Sequence, residues 1–189
     1  YQSIFGIIIG TGFGGALSYK KEIIEGANQI AGDWGHQPLP YPTIEELDTK
    51  INCPSMNCGR SLCAEQFMSG IGFKDVFNQK HNTNFSSEEI VQLDLEGDLR
   101  AKVELNLYED RMARLMAVMI GIFDPDAIIL GGGMSNIDRF YKNIPALIPK
   151  YTFSNKVITK VLKNFHGDSS GVRGAAWLWN NAAKWKIKK

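Results

Sequence analysis

The sequence predicts an α/β fold. Two short apolar segments, Ser3 to Ile9 and Ala127 to Leu130, each run directly into a glycine loop, and a long helical stripe lies between them. Strands that end in glycine loops are the layout of open α/β sheets, whose ligands sit at the strand ends.

The elements follow in order. Ser3 to Ile9 is rich in isoleucine and bounded by glycines, which predicts a buried strand ending in the loop GTGFGG. Ala16 to Tyr19 and Glu22 to Ile24, separated by Lys20 and Lys21, predict a hairpin after it. Ala31 to Leu62 has little periodicity and holds four prolines and two cysteines, so it is expected to be mostly loop. Ser86 opens a capping box with Glu89 and predicts a helix to about Glu96. From Ala101 to Phe123 apolar residues recur at three- and four-residue spacing, the mark of a helix with one face on a core, and FDPD ends it. Ala127 to Leu130 is a second buried strand, GGG at 131 to 133 a second glycine loop, and Asn136 to Leu147 resumes helical spacing. Val157 to Val161 is a further strand, and GDSSGVRGAAWLWNNAA reads as a turn, a cap and a terminal helix.

Composition narrows the function classes. With 189 residues, 44% of them hydrophobic, there is ample material for a core in one domain or a compact pair. Lysines and arginines number 21 and acids 20, so the net charge of +1 supplies no field to recruit nucleic acid or an anionic membrane. The longest apolar run, Leu115 to Phe123, is far below the ~20 residues that span a bilayer. Small-molecule binding is the expectation that remains. Tyr1 opens the chain with no signal-like stretch before the first strand, which reads as a truncated start.

The chemistry concentrates in three places. Around Gly10, Thr11 and Gly12, backbone N–H groups are left to face an anion and the glycines permit close approach, although a tight strand-to-strand turn has the same signature. Gly131, Gly132 and Gly133 stand between a buried strand and a helix, and two such loops together suggest one nucleotide gripped from two sides. No Lys-Ser or Lys-Thr follows either loop, so neither is a Walker site. The third place is Gly32 to Glu65, which contains all three cysteines, Cys53, Cys58 and Cys63, downstream of His36. In a reducing, cytoplasmic compartment three thiolates and an imidazole suit tetrahedral zinc, and the surrounding loop lacks the apolar content to hold itself together. The alternative is three small buried residues. His81 and His166 have no such cluster and read as solvated or core histidines.

The motifs GTGFGG, AGDWGH, CGRSLCAE and LGGGMS, in this order, resemble the ROK family of bacterial sugar kinases and sugar-responsive repressors over nearly the whole chain. DWGHQPLP, GGGMSN followed by DRFY, and HGDSSGVRGAAWLW look most like the fructokinase and mannokinase branch, with the N-acetylglucosamine kinases next. The resemblance implies an actin-like, ribonuclease-H-like ATPase fold, of which residues 1–189 would be the C-terminal lobe. It implies a zinc loop within 32–65 and a terminal helix at about 171–184 that belongs with an absent N-terminal lobe.

Residue by residue, the resemblance gives Gly10, Thr11 and Gly12 to the nucleotide phosphates and Gly131, Gly132 and Gly133 to the adenosine side. Asp33, His36 and Glu65 would take sugar hydroxyls, and His36, Cys53, Cys58 and Cys63 would hold a structural zinc. One ring nitrogen of His36 would ligate the metal and the other meet the sugar. Three departures from the family pattern stand out: Asp33 replaces a glutamate, four residues rather than one separate Cys53 from Cys58, and Leu62 replaces a glycine.

The function implied is transfer of the γ-phosphate of ATP, with Mg²⁺, to a hexose such as fructose or mannose, by a homodimer. The general base would lie upstream of Tyr1, leaving this piece inactive alone. A repressor's sugar-sensing domain and a purely structural zinc-stabilised dimer module are the competing readings.

Overall fold

Residues on β1 (Ser3–Ile9) alternate: Phe5, Ile7 and Ile9 are buried, whereas Ile8 is 46% exposed. One face of the strand therefore packs on a core, and the wholly buried strand expected from its isoleucines is half right. β1 pairs antiparallel with β2 (Phe13–Tyr19), which pairs with β3 (Glu22–Ile23). On its other side β1 runs parallel to β4 (Ala127–Gly131), and β4 to β5 (Lys160–Lys163). The result is a five-stranded mixed sheet in the order β3-β2-β1-β4-β5. The structure, a computed structural model, describes residues 1–49, 51–54, 58–154, 156–167, 170, 171, 173, 174 and 176. Of the terminal helix expected at 171–184, residues 171, 173, 174 and 176 are helical, and the rest, with most of its apolar stripe, lies outside the described residues.

The helices that accompany the sheet include α1 (Ile44–Leu47), α2 (Ala64–Met68), α3 (Gly70–His81), α4 (Ser87–Leu95), α5 (Leu99–Phe123) and α6 (Phe140–Leu147). The capping box at Ser86 and Glu89 opens α4 as expected. Asp98 caps α5 by accepting from the N–H groups of Arg100 and Ala101, and Asp124 ends it in the left-handed conformation at φ 46°. The buried stripe of α5, Leu105, Tyr108, Met112, Leu115 and Met116, joins Phe5, Ile7, Ile128, Leu130, Phe140 and Ile144 in one core. Tyr108 is the hub. Its ring stacks on Phe140 with centroids 5.1 Å apart, and its hydroxyl donates to the Met68 carbonyl at 2.8 Å, fixing the end of α2. No helix among the described residues is long and apolar enough to cross a membrane.

Two expected elements shift. The helix expected from Asn136 begins at Phe140, after a 3-10 turn over Gly133–Asn136. The strand expected at Val157 to Val161 is instead Lys160–Lys163, because pairing with β4 sets its register (Ala127 opposite Lys160) and the Thr159 hydroxyl bonds the Pro125 carbonyl.

Candidate active site

The chain turns from β1 into β2 over three residues, so Gly10, Thr11 and Gly12 form the tip of a hairpin between Ile9 and Phe13. The loop is thus a tight strand-to-strand turn. Gly10 and Thr11 line an open cleft of about 800 Å³, and Gly133 lines it from the end of β4. Both glycine loops meet at one cavity, of a size usual for small-molecule sites.

The three glycines after β4 do different jobs. Gly132 has φ +81°, and a Cβ there would stand 2.5 Å from the Ile9 carbonyl oxygen, so glycine is required by the approach of β1. A Cβ on Gly131 would meet the Ile8 side chain at 3.1 Å. Gly133 has nothing within 4 Å and faces the cleft. Residues that sequence reasoning did not reach complete the lining: Gly70, Ile71 and Lys74 of α3, Ser86, Ser87, Glu88 and Val91 around the start of α4, and Met134, Asn136 and Ile137. Gly70 ties this wall to the hairpin, since its N–H donates to the Gly10 carbonyl at 2.7 Å and its carbonyl accepts from the Ser87 hydroxyl at 2.7 Å. The available signal was Ser69, which caps α3 by accepting from the Gly72 N–H.

On the other side of the hairpin lies the expected sugar region. Residues 34–39 and 62–65 are laced together by backbone bonds: Leu39 to Leu62, Ala64 to Gln37, and Glu65 N–H to the Gly35 carbonyl at 2.7 Å. Trp34 anchors this segment on the sheet, stacked on Phe13 with centroids 5.0 Å apart and edge-on to Phe5 at 4.8 Å. Gly35 must be glycine, because a Cβ would fall on the Phe13 carbonyl oxygen. The Glu65 carboxylate fills the space that Gly12 and Gly35 leave: its Oε2 is 3.6 Å from where a Cβ would stand on either, and accepts from the Phe13 N–H at 3.4 Å. The hairpin therefore separates the cleft, walled by Gly10 and Thr11, from a carboxylate beside Gly12. Asp33 is exposed and His36 half-buried on the same segment.

His36, Cys53, Cys58 and Cys63 converge so that one donor atom of each lies within 4.8 Å of the others. Cys53 Sγ is 3.9 Å from His36 Nδ1. Tetrahedral zinc at about 2.3 Å from sulfur places its donors roughly 3.8 Å apart, so a small inward movement closes the set and the donors fit the metal. Burial, reinforced by the neighbouring Cys53 thiol, pushes the Cys63 thiol well above its ordinary range. The wider Cys53-to-Cys58 spacing has not kept Cys53 from the cluster.

The loop leading to Cys53 is fastened by charges. Glu46, 3% exposed, accepts from Arg111 at 2.8 Å and from Arg114 at 2.7 Å, and Arg111 also donates to Glu104. Burial alone would raise the Glu46 carboxyl; the Arg114 and Arg111 hydrogen bonds outweigh it and hold it below its ordinary value. Arg114 also donates to the carbonyls of Pro40 and Tyr41. His81 is not part of the site: it lies against Phe77, ring centroids 4.6 Å apart, and burial followed by Lys80 and Arg100 lowers its pKa. His166 is exposed beside Phe165.

The mixed sheet with its two glycine loops converging on one cleft has the actin-like ATPase fold, and solved structures agree. The chain superposes with TM-score 0.79 on a ROK family glucokinase from Streptomyces griseus, crystallised with glucose and AMPPNP, at 22% identity, covering 94% of this chain and 60% of that one. The ROK hexokinase from Thermus thermophilus gives 0.78 at 19% identity, covering 96% and 59%. The ROK family profile matches residues 1–182, and the chain belongs to that family. Its curated relatives include the N-acetyl-D-glucosamine kinases of Vibrio atlanticus (strain LGP32), 36% identical over 176 residues, and of Vibrio cholerae serotype O1, 35% identical over 176 residues. Each alignment covers 93% of this chain and 58% of the relative, so the chain spans less than two thirds of their length.

Proposed function

We propose that this chain is the C-terminal lobe of an ATP-dependent sugar kinase whose acceptor is N-acetyl-D-glucosamine. The observation that carries the reading is the hairpin at Gly10 to Gly12, which borders a nucleotide-sized cleft on one side and the Glu65 carboxylate on the other. Phosphoryl transfer needs little covalent chemistry from the protein; it needs a held phosphate chain and an oriented hydroxyl on either side of the transferred group. Gly10, Thr11 and Gly12 would offer backbone N–H groups to the phosphates, with Gly131 to Gly133 beside the adenosine. Asp33, His36 and Glu65 would accept hydrogen bonds from sugar hydroxyls, carboxylates taking two at once. Zinc held by His36, Cys53, Cys58 and Cys63 would supply structural charge that fixes the ring and tautomer of His36. Mg²⁺ would accompany ATP, and the general base would come from an N-terminal lobe outside this chain.

The acceptor departs from the fructose or mannose that the sequence motifs favoured. Support for N-acetyl-D-glucosamine is the 33–36% identity to kinases of that name over 176 to 177 residues. The repressor reading has no comparable support. A coupled assay of ADP release by the intact two-lobe protein is expected to give a kcat/KM for N-acetyl-D-glucosamine about tenfold or more above that for fructose or mannose. The reverse order overturns the acceptor, and no transfer to any hexose overturns the kinase. This chain alone is expected to be inactive, and its homodimer is tested by sedimentation.

A further inference from the structure

We propose that Lys74 is the cationic contact for the phosphate chain of the nucleotide, a role that no motif residue fills. The inference rests on reading the 800 Å³ cleft as the nucleotide site. Lys74 is the one lysine or arginine among the described residues lining that cleft. It stands four residues into α3 from Gly70, on the same helix face. A Cβ on Gly70 would stand 3.1 Å from the carbonyl oxygen of Gly10 in the hairpin, so that face is turned towards the hairpin. Around it the polar lining is neutral, from Gly10, Thr11, Ser86, Ser87 and Asn136, apart from Glu88.

Charge then orients the ligand. A triphosphate cannot lie against Glu88 without repulsion, and its strongest attraction in the lining is the Lys74 ammonium. Val91, Met134 and Ile137 offer apolar surface for a base. The present partner of Lys74 holds it weakly: its ammonium is 3.9 Å from the Asp75 carboxylate, with the two side chains 40% and 46% exposed. Exposed pairs of this kind contribute little, so exchange for a phosphate costs little. A lysine suits the position because a point charge on a flexible stem can follow a phosphate as it moves, where a bidentate arginine would fix it.

The test is calorimetric titration of the chain and its Lys74→Met and Lys74→Arg variants with AMPPNP, ADP, AMP and adenosine, at low and moderate salt. Lys74→Met is expected to weaken AMPPNP and ADP about tenfold, the worth of one charge-assisted contact. AMP should weaken less and adenosine not at all, and Lys74→Arg should recover most of the loss. The AMPPNP salt dependence should also flatten in Lys74→Met. Equal losses for AMPPNP and adenosine overturn the proposal, since Lys74 would then act on ribose or on the fold, and so does a variant identical to wild type with every ligand. If the unmodified chain binds none of the four, the reading of the cleft itself falls and the role of Lys74 with it. Because Lys74 is partly exposed, the thermal midpoint should stay put, which separates lost contact from lost fold.

Discussion

The two halves of the site are held in place by different forces. Glycine loops at the ends of β1 and β4 are fixed by backbone ladders, with five parallel register pairs from Ile4 opposite Ala127 to Ile8 opposite Gly131, and by the core behind them. Of its described residues, the segment from Gly32 to Cys63 puts only Trp34, Leu39 and Cys63 into the buried apolar set, and otherwise relies on a few backbone bonds, the Glu46 ion pairs and the His–Cys cluster. The geometry of the glycine-loop half is thus a property of the fold, while that of the Gly32 to Cys63 half depends on a handful of side chains and, on the proposed reading, on a cation. Perturbations should separate the halves.

Removing the metal has the largest expected effect. Structural zinc contributes on the order of 10 kcal/mol in small domains, and the loop has little else to replace it. Chelation, or Cys63→Ser, should abolish zinc by elemental analysis and free the amides of 32–65 to hydrogen exchange, while those of β1 and β4 remain protected. AMPPNP affinity should change about twofold or less, well under the tenfold that 1.4 kcal/mol represents. Unchanged protection of the loop after metal loss would place both halves under the control of the fold.

A pair of glycine substitutions sharpens the same contrast. The family resemblance gives Gly132 to the adenosine side, but the structure puts the Ile9 backbone where its side chain would stand. Gly132→Val should therefore unfold the sheet end, costing about 4 kcal/mol or more from a left-handed φ and a backbone collision. Gly133→Val meets nothing within 4 Å and should leave the thermal midpoint nearly unchanged while weakening AMPPNP. Equal destabilisation by both would make the second loop wholly structural.

Much of this was legible in the sequence where local pattern and tertiary role agree. The isoleucines of β1 gave its limits, the apolar stripe gave α5, and the reciprocal Ser86 and Glu89 caps gave the start of α4. The His36 and cysteine cluster was legible because these residue types at such density have few other uses. What escaped was set by distant partners. Helix α3 opens on Gly70 and carries Gly72, where helix propensity is poor, yet Gly72 is demanded by the Gln66 carbonyl, which a Cβ would strike. The buried Glu46, Arg111 and Arg114 look like surface charges until α1 is laid on α5. Asp33 was readable only through family resemblance, and the structure leaves it exposed.

The buried ion cluster of Glu46, Arg111 and Arg114 supplies the next effect in size, and it acts on the Gly32 to Cys63 half. The Glu46 carboxyl is depressed below its ordinary 4.5 in the folded chain. A depressed acid contributes stability that is fully present above its unfolded value and is lost as pH falls through the folded one. The loop should therefore loosen below about pH 4.5. Glu46→Gln, which leaves Arg111 and Arg114 buried with half a partner, should cost about 3 kcal/mol at neutral pH and remove this share of the acid dependence. Denaturant melts of both proteins at pH 7 and pH 4 measure it; parallel loss of stability in the two would take Glu46 out of the pH response.

The smallest effect concerns Leu62, which stands where the family resemblance placed a glycine, directly before Cys63. Its φ is +61°, in the left-handed region that costs a residue with a Cβ about 1–2 kcal/mol. The side chain repays part of this by packing half-buried against the core, and its N–H donates to the Gln66 side chain at 2.8 Å whatever the residue. Leu62→Gly relieves the backbone and loses the packing, two terms of similar size and opposite sign, so stability should change by less than about 1 kcal/mol. Leu62→Ala loses the packing and keeps the strain. Alanine should therefore be the less stable of the two by about 1 kcal/mol, the reverse of the order at ordinary positions, where glycine is the weaker. Denaturant midpoints of the three proteins, all zinc-loaded, decide the matter: alanine at or above glycine would mean that Leu62 is not strained, and that the loop before Cys63 is shaped by its own sequence more than by the metal cluster it serves.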